Sequence, residues 1–439
     1  MGNKGRVILL LIIVFLIQIV DMAYGVQRFP KPEFESGYLQ PETLQPTARA
    51  PFMAMVDVIV LALTLSLASW LALKKRSRIA IFWTSLFSLA YFGFYRQGCV
   101  CSVGALQNVV LALFERSYVI PLAVLAFFIL PLIFTLFFGR TFCAGVCPFG
   151  AMQDLISFRP RKMDPRLNAI LGTFPYIYLG LAILYAASGT DFIICRYDPF
   201  VGIFRFNATF GMLFFAMSLL ISGIFIARPY CRYLCPYGVL LNWVSRLSWK
   251  HLTITPAACI QCRLCESSCP YDAIDMPLTG RNPETRPVTV RKLILISLLV
   301  PFFVVLGGWT GSQLHRTLAG INSKVRLASM LQDPGKFSDR AEPFEIAAYR
   351  TSGKTIIQVN EEASAVLRQF YTGGWMLGCF IGMVFGIILA SRLLTRYRTD
   401  YTPNKGACYS CARCVDYCPV EKNGLTALQP DRPTRKILI

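Results

Sequence analysis

The chain has 439 residues, of which 55% are hydrophobic and 15% charged, and its mean hydropathy is +0.51. Average soluble domains are less apolar and carry about 25% charged residues, so these values exclude a disordered chain and argue against an ordinary soluble enzyme. The formal net charge is +20, from 44 basic and 24 acidic residues. In an apolar chain this excess indicates loops that face anionic lipid, and we predict no nucleic-acid partner.

Eight apolar runs follow one another, and most are long enough to cross a hydrocarbon core of about 30 Å as helices. Strand-like alternation is absent, so we predict an all-α polytopic membrane protein with about eight spans. The runs cover approximately residues 7–20, 52–73, 79–95, 117–138, 169–187, 208–227, 293–310 and 373–394.

Basic residues are concentrated on alternate connections between these runs. This pattern predicts a protein of the bacterial inner membrane with those connections on the cytoplasmic side. Residues 1–25 are either a signal anchor or a signal peptide, since Ala23-Tyr24-Gly25 is a fair cleavage site. The predicted units that follow are a periplasmic segment at 26–51, a membrane core at 52–227, a cytoplasmic piece at 228–292, a span at 293–310, a periplasmic loop or cap at 311–372, a span at 373–394 and a second cytoplasmic piece at 395–439.

Two cysteine runs lie in the cytoplasmic pieces, and both have the spacing Cys-x2-Cys-x2-Cys-x3-Cys-Pro. This spacing is typical of bacterial ferredoxins, in which three thiolates of one run and the fourth cysteine of the other hold each 4Fe–4S cluster. Cluster A therefore takes Cys259, Cys262, Cys265 and Cys418, and cluster B takes Cys408, Cys411, Cys414 and Cys269. Structural zinc is the alternative, and the doubled pattern disfavours it.

Two spans and the segment 311–372 separate these runs. We therefore predict a small two-cluster ferredoxin-like domain that is split by a membrane hairpin. Such a domain closes only if both halves lie on one side of the membrane, and the charge pattern places both in the cytoplasm.

A second cysteine pattern recurs at the ends of spans. Segment 139–150 matches segment 227–238, each with a Cys-x3-Cys-Pro motif, which indicates repeated hairpins over about 95–150 and 187–238. Two thiols one helical turn apart share a face, so two such pairs could enclose a metal centre at the inner membrane edge. Packing and a redox-active dithiol are the alternatives. The inner quartet consists of Cys143, Cys147, Cys231 and Cys235.

A more speculative outer site combines Cys99, Cys101 and Cys195 with Cys379 as its fourth member. Segment 101–108 resembles segment 147–154, which places cysteines at alternating membrane faces. A disulfide between Cys101 and Cys195 is a serious alternative. Cys379 lies in a stripe of glycines suited to close helix contact, so simple packing is its alternative.

Several other cofactors lack a motif. The two histidines, His251 and His315, lie outside the predicted spans, so a transmembrane b-type haem has no axial ligands there. No Cys-x-x-Cys-His motif, dinucleotide fingerprint or P-loop occurs in the sequence, and no nucleophile–base constellation is evident. We therefore predict an electron-transfer component of an oxidoreductase system rather than a stand-alone enzyme.

The paired Cys-x3-Cys-Pro motifs and the split ferredoxin runs resemble the membrane polyferredoxins related to NosR and NapH, over about residues 80–439. The resemblance implies an inner-membrane protein that passes electrons between quinol or a cytoplasmic donor and a periplasmic flavoprotein, cytochrome or reductase. Membrane lipid and other membrane subunits are implied as partners, and quinone is a candidate cofactor. NosR-type proteins carry a large periplasmic flavin-binding domain, whereas only residues 26–51 stand at that place here.

Two other functions remain as alternatives. The first is a redox-sensing role, or a role in the assembly and maturation of a metalloenzyme, which the same cysteine pattern would allow. The second is transport through the repeated hairpins. A transporter needs a polar site near the membrane midplane, and the predicted spans offer almost none.

Overall fold

A computed structural model of the chain describes residues 51–98, 101–158, 160–254, 259–277, 286–332, 346, 349–350, 353–393 and 401–422. The first half of this chain forms the helices α1 (Pro51–Trp70), α2 (Arg78–Ser88), α3 (Ser102–Phe114), α4 (Leu122–Phe138), α5 (Thr141–Gly145), α6 (Pro148–Ile156), α7 (Pro165–Leu171) and α8 (Phe174–Ala187). Two π-helical segments, Leu71–Lys75 and Leu89–Tyr95, continue α1 and α2.

The second half contains most of the shorter elements together with the two longest helices. The elements are α9 (Ile193–Tyr197), α10 (Pro199–Phe204), α11 (Phe210–Ser222), α12 (Pro229–Tyr233), α13 (Pro236–Arg246), α14 (Leu264–Ser268), β1 (Ile274–Asp275), α15 (Arg286–Gln313), α16 (His315–Ala319), α17 (Ser323–Gln332), α18 (Ile356–Leu393), β2 (Thr402–Pro403), α19 (Arg413–Asp416) and α20 (Pro419–Lys422).

The structure is mostly helical, as predicted, and its described part contains four helical segments long and apolar enough to cross a membrane. They are Phe52–Lys75, Pro165–Ala187, Pro287–Gln313 and Ile356–Leu393. Helices α3, α4 and α11 are apolar but shorter. The predicted span at 7–20 lies outside the described residues, as does the segment 1–25, and the count of about eight spans stays a prediction.

Helix α18 differs from the sequence-based boundaries. It begins at Ile356 and runs without a break for 38 residues, so part of the segment expected to form a periplasmic cap continues directly into the last span. A glycine stripe on this helix packs against α15. A Cβ at Gly378 would overlap the carbonyl oxygen of Gly307, and a Cβ at Gly374 would lie 2.7 Å from the oxygen of Gly311. The two backbones can approach this closely because neither helix carries a side chain there.

Short helices interrupt the membrane core on either side of the Cys-x3-Cys-Pro motifs. Helix α4 ends at Phe138, its C-cap residue Gly139 has a φ of +74° that favours glycine, and α5 begins two residues later at Thr141. Pro148 and Pro236 open α6 and α13. Proline suits this first helical position because its missing N–H would have no intrahelical partner there. Each motif therefore forms a break between two helices and places its second cysteine, Cys147 or Cys235, at the break, where both are buried.

The two ferredoxin-like halves form one lobe. Strands β1 and β2 pair antiparallel, with Ile274 opposite Pro403 and Asp275 opposite Thr402, so the chain before α15 meets the chain after α18. The chain that leads into the lobe is attached to the membrane core by a backbone hydrogen bond from Trp249 N to the oxygen of Leu136, at 3.0 Å. A side-chain bond from Ser245 Oγ to the oxygen of Lys405, at 2.6 Å, attaches the second half to α13.

Candidate metal centres

The first ferredoxin-like cavity is bounded by cysteines from both halves of the lobe. It has a volume of about 370 Å³. Gln261 and Arg263 adopt left-handed backbone conformations, which curl the loop so that its three thiols point inward. The cavity is partly open, because Cys262 is exposed and Cys259 and Cys418 are half-buried. Its cysteines are Cys259, Cys262, Cys265 and Cys418.

The second cavity is formed in the same way by the other run and has a volume of about 340 Å³. Ser410 and Ala412 repeat the two left-handed conformations at the matching loop positions. All four of its cysteines are buried, and Cys414 lies within electrostatic range of Cys265 in the first cavity. The cysteines of this cavity are Cys269, Cys408, Cys411 and Cys414. The structure thus brings together the same two sets of four that the crossed-ligand prediction contains.

These donor sets fit iron–sulfur clusters better than a single metal ion. Within the described chain, no three acidic, imidazole or thiol groups converge closely enough to hold one ion. In a 4Fe–4S cube each thiolate binds a different iron, so the four sulfurs lie farther apart than ligands of one ion do. Burial raises the pKa of the Cys408 thiol to about 12, because the surroundings disfavour the charged thiolate.

The inner quartet lies in the membrane core beside the second cavity. Cys143 lies in α5 and Cys231 in α12, while Cys147 and Cys235 occupy the N-cap positions of α6 and α13. Each of these four thiols is within electrostatic range of the other three. The two Cys-x3-Cys pairs therefore lie near each other, and an all-sulfur donor set is the kind that iron–sulfur clusters use.

Two tyrosines of the lobe form the contact between the second cavity and the inner quartet. Tyr409 lies between two cysteines of the second run, and its hydroxyl donates to the backbone oxygen of Cys231 at 3.4 Å. The Tyr271 ring lies 4.6 Å from that of Tyr409, measured between centroids. The guanidinium of Arg140 lies over the Tyr409 ring at 4.2 Å. Aromatic and cationic groups thus fill the space between the two sets of thiols.

The outer cysteines fall into two groups. Cys101, at the N-cap of α3, lies within electrostatic range of Cys195 in α9, so the structure brings this pair together. Cys379 instead packs in the α15–α18 interface, where a Cβ at Gly308 would lie 2.7 Å from its Sγ. Cys99 lies outside the described residues. A metal site and a disulfide for the Cys101–Cys195 pair both stay predictions.

The outer pair is not isolated from the inner quartet. Cys101 and Cys147 line one apolar cavity of about 300 Å³, and Cys101 is within electrostatic range of Cys235. Gln107 and Gln153 make matching contacts. Gln107 Oε1 accepts from the N–H of Ile194 at 3.0 Å, and Gln153 Oε1 accepts from that of Tyr230 at 2.9 Å. In both cases the residue that donates immediately precedes a cysteine of the set.

A larger cavity of about 780 Å³ opens between the lobe and the membrane core, beside Cys231 and Cys235. Polar side chains from both parts line it, including Arg140, Arg232 and Asn242. Arg232 pairs with Asp272 of the lobe at 3.3 Å. Two cysteines of the inner quartet therefore border a cavity with polar side chains on the side that faces the lobe.

Sequence reasoning missed the arginines and tyrosines that surround the inner quartet. Arg140 and Arg228 are almost fully buried, with 4% and 0% of their surface exposed. A signal for them was present, because each precedes the first cysteine of its Cys-x3-Cys-Pro motif by three residues. Tyr409 and Tyr271 had no comparable signal, since a tyrosine inside or just after a ferredoxin run does not indicate what it contacts.

Two models of protein families match parts of the chain, and both are described as 4Fe–4S binding domains. The first matches residues 120–166 and 207–255, which contain the four cysteines of the inner quartet. The second matches residues 252–275, which contain the first ferredoxin run. Iron–sulfur binding is therefore supported for the membrane motifs as well as for the lobe.

Curated relatives extend this likeness. Protein NirI of Paracoccus denitrificans is 30% identical over 57% of this chain and 39% of its own length. Regulatory protein NosR of Pseudomonas aeruginosa is 31% identical over 43% of this chain and 28% of its own. The methylamine utilization ferredoxin-type protein MauN of Paracoccus denitrificans is 28% identical over 32% of this chain and 51% of its own. The chain thus spans about half or less of these relatives, and no solved structure matches it.

Proposed function

Since the chain belongs to the NosR/NapH-like family of membrane 4Fe–4S proteins, we propose that it passes electrons between quinol or a cytoplasmic donor and a periplasmic redox partner. The observation that carries this proposal is the unbroken series of cysteine sets from the lobe into the membrane core. Cys414 lies within electrostatic range of Cys265, the Tyr409 hydroxyl donates to the backbone oxygen of Cys231, and Cys101 lies within electrostatic range of Cys235.

In this proposal the two ferredoxin-like cavities hold one 4Fe–4S cluster each, and the inner quartet holds a third iron–sulfur centre. Such clusters, when bound, accept and release single electrons over a wide range of potentials. The protein's own contribution is to supply thiolates, to bury the four cysteines of the second cavity, and to hold the three sites close to one another.

The first cavity is the proposed contact point for the cytoplasmic partner. It is the more open of the two, with Cys262 exposed. Large apolar side chains around it are also exposed, among them Ile260 at 61% and Tyr417 at 53%. An exposed apolar surface beside a redox site favours docking of a partner protein. The second cavity, whose four cysteines are buried, then relays electrons toward the membrane.

The proposed orientation places the lobe in the cytoplasm. Strand β1 precedes α15 and strand β2 follows α18, so their pairing requires the start of α15 and the end of α18 to lie on the same side of the membrane. This supports a membrane hairpin within a split domain. The basic residues of the inner connections support the cytoplasmic side. The periplasmic partner, a flavoprotein, cytochrome or reductase, would then meet the protein on the side opposite the lobe.

The proposal also includes two repeated hairpins and a site at the outer end of the electron path. The matching contacts of Gln107 and Gln153 support two hairpins that place cysteines near the opposite faces of the membrane core. Cys101 and Cys195 would form the outer end of the path, as metal ligands or as a redox-active disulfide. A quinone could take the same place, since a hydrocarbon core of about 30 Å is too thick for a single efficient step.

A regulatory or assembly role is the second candidate function. It is favoured by two relatives, both of which are named Regulatory protein NosR. In that case the clusters would report redox state, and transfer to an outer acceptor would be slow or stoichiometric rather than catalytic.

Transfer across a vesicle tests the proposal. The protein is reconstituted into liposomes that contain ferricyanide, a reductant is added on the lobe's side, and the rate of ferricyanide reduction is measured. We expect sustained turnover by the wild type. We expect Cys143→Ser to lower the rate at least tenfold while the electron paramagnetic resonance (EPR) spectra of the two lobe clusters stay unchanged.

The matched control is Cys379→Ser, which makes the same chemical change at a cysteine that packs against Gly308. It should transfer at the wild-type rate. Normal transfer by Cys143→Ser would contradict the role of the inner quartet. A wild-type protein that reduces only a stoichiometric amount of acceptor would favour the regulatory function.

A further inference from the structure

Arg140 and Arg228 make matching contacts across the two Cys-x3-Cys-Pro motifs. Each lies three residues before the first cysteine of its own motif and reaches the glycine that follows the other motif. A Cβ at Gly150 would lie 3.3 Å from Arg228 Nη1, and a Cβ at Gly238 would lie 3.6 Å from Arg140 Nη2. The two guanidinium groups therefore flank the inner quartet from equivalent positions.

The two arginines differ in how their charge is balanced. Arg228 forms a bidentate ion pair with Asp154, through Nε at 2.8 Å and Nη2 at 2.7 Å, and Asp154 also lies 3.6 Å from Arg78 Nη2. The difference is therefore that a carboxylate contacts Arg228 directly. Asp154 lies seven residues after Cys147, and the residue seven places after Cys235 is Asn242. The second motif thus has a neutral amide at the position where the first has a carboxylate.

Arg140 consequently lacks a carboxylate partner in the part of the chain that the structure describes. Its Nη1 donates to the backbone oxygen of Gly406 at 2.9 Å, and its buried Nε has no hydrogen-bond partner there. Taking a guanidinium out of water without a counter-charge is costly, so another negative group must compensate it.

The thiols of the inner quartet are the groups placed to do so. Arg140 Nη2 lies 3.9 Å from Cys143 Sγ, and Cys235 is within electrostatic range. Thiols that bind metal are deprotonated and carry negative charge. An iron–sulfur cube with four thiolates is therefore the kind of anion that this arginine can neutralise.

We propose that Arg140 is the counter-ion of the centre held by the inner quartet and raises the reduction potential of that centre. This rests on the proposed function, in which the quartet holds an iron–sulfur centre. Reduction adds one negative charge, and an adjacent cation that no carboxylate neutralises favours the reduced form. Arg228, already paired with Asp154, acts as a structural link between the two motifs.

The test is a redox titration followed by EPR on full-length protein, purified anaerobically in detergent, with iron counted in each sample. Arg140→Gln removes the charge. Asn242→Asp instead adds a carboxylate at the position that matches Asp154 and leaves Arg140 in place. We expect both to lower the reduction equilibrium constant of the third centre at least tenfold, which is about 59 mV for a one-electron couple. Arg140→Lys, which keeps the charge, should stay closer to the wild type.

Arg246→Gln is the matched control. Arg246 is exposed, and its Nε donates to Asn242 Oδ1 at 3.3 Å, so this variant removes a nearby cation that faces solvent. It should leave the potential unchanged. Unshifted potentials in both Arg140→Gln and Asn242→Asp, with the third signal present, would overturn the counter-ion role alone. A wild type without a third signal would overturn both this role and the proposed centre. If Arg140→Gln fails to fold, Asn242→Asp decides the question.

Discussion

At the scale of single residues, cysteine spacing predicts which thiols come together. It does not predict which other side chains surround them. The crossed sets of four were predicted from two copies of one spacing, and the structure gathers the same residues around two cavities. The charged and aromatic side chains beside the quartet could not be predicted, because contacts such as that of Tyr409 with Cys231 join residues far apart in the chain. Spacing describes a local loop, whereas these contacts depend on how the lobe docks.

Double variants test the crossed ligation directly. Replacing a thiolate by a hydroxyl removes a soft ligand, so Cys418→Ser should alter one cluster signal. If Cys418 belongs with Cys259, the double variant Cys418→Ser/Cys259→Ser should alter the same signal as either single variant. Cys418→Ser/Cys408→Ser should alter both signals. EPR spectra and iron per chain distinguish the cases, and the opposite pattern would mean that each run ligates its own cluster.

At the scale of elements, hydropathy predicted the existence of the apolar helices better than their ends. The span expected at 373–394 is the second part of α18, which begins at Ile356. The first turns of α18 are more polar than the rest of the helix, and continuity there depends on packing against neighbours such as α17 rather than on hydropathy. The breaks at the Cys-x3-Cys-Pro motifs were signalled more clearly, because proline and glycine fix where helices begin and end.

The contact between α15 and α18 carries a prediction of its own. A side chain at Gly378 would overlap the backbone of Gly307, so Gly378→Val should force the helices apart and destabilise the protein by about 3 kcal/mol, the upper end of the usual cost of overpacking. Because these helices connect the two halves of the lobe, iron content should fall as well. Thermal unfolding in detergent and iron analysis measure both effects.

Gly211→Val provides the control for this variant. Gly211 lies in α11 beside open space, since a Cβ there would meet no atom within 4 Å. The same substitution should therefore leave iron content unchanged. Wild-type stability and iron content in Gly378→Val would show that the glycine contact does not hold the hairpin together.

At the scale of the whole molecule, a split lobe meets a membrane core beside the inner quartet. The iron–sulfur and membrane character predicted from the sequence is confirmed by the family matches and the apolar helices. We propose in addition that the inner quartet is itself a redox centre between the lobe and the opposite side of the membrane. If the quartet held no redox centre, Tyr409 would connect the second cavity only to thiols that cannot accept an electron.

Iron and acid-labile sulfide per chain, measured on anaerobically purified protein with EPR during stepwise reduction, test this claim most directly. We expect clearly more than the eight irons of two 4Fe–4S clusters, about twelve if the third centre is also a cube, with an added signal that Cys143→Ser removes. About eight irons, with the spectra of two coupled clusters and no change in Cys143→Ser, would contradict it. The membrane cysteines would then serve in packing, disulfide formation or partner contact, and a quinone or a partner would have to carry electrons across.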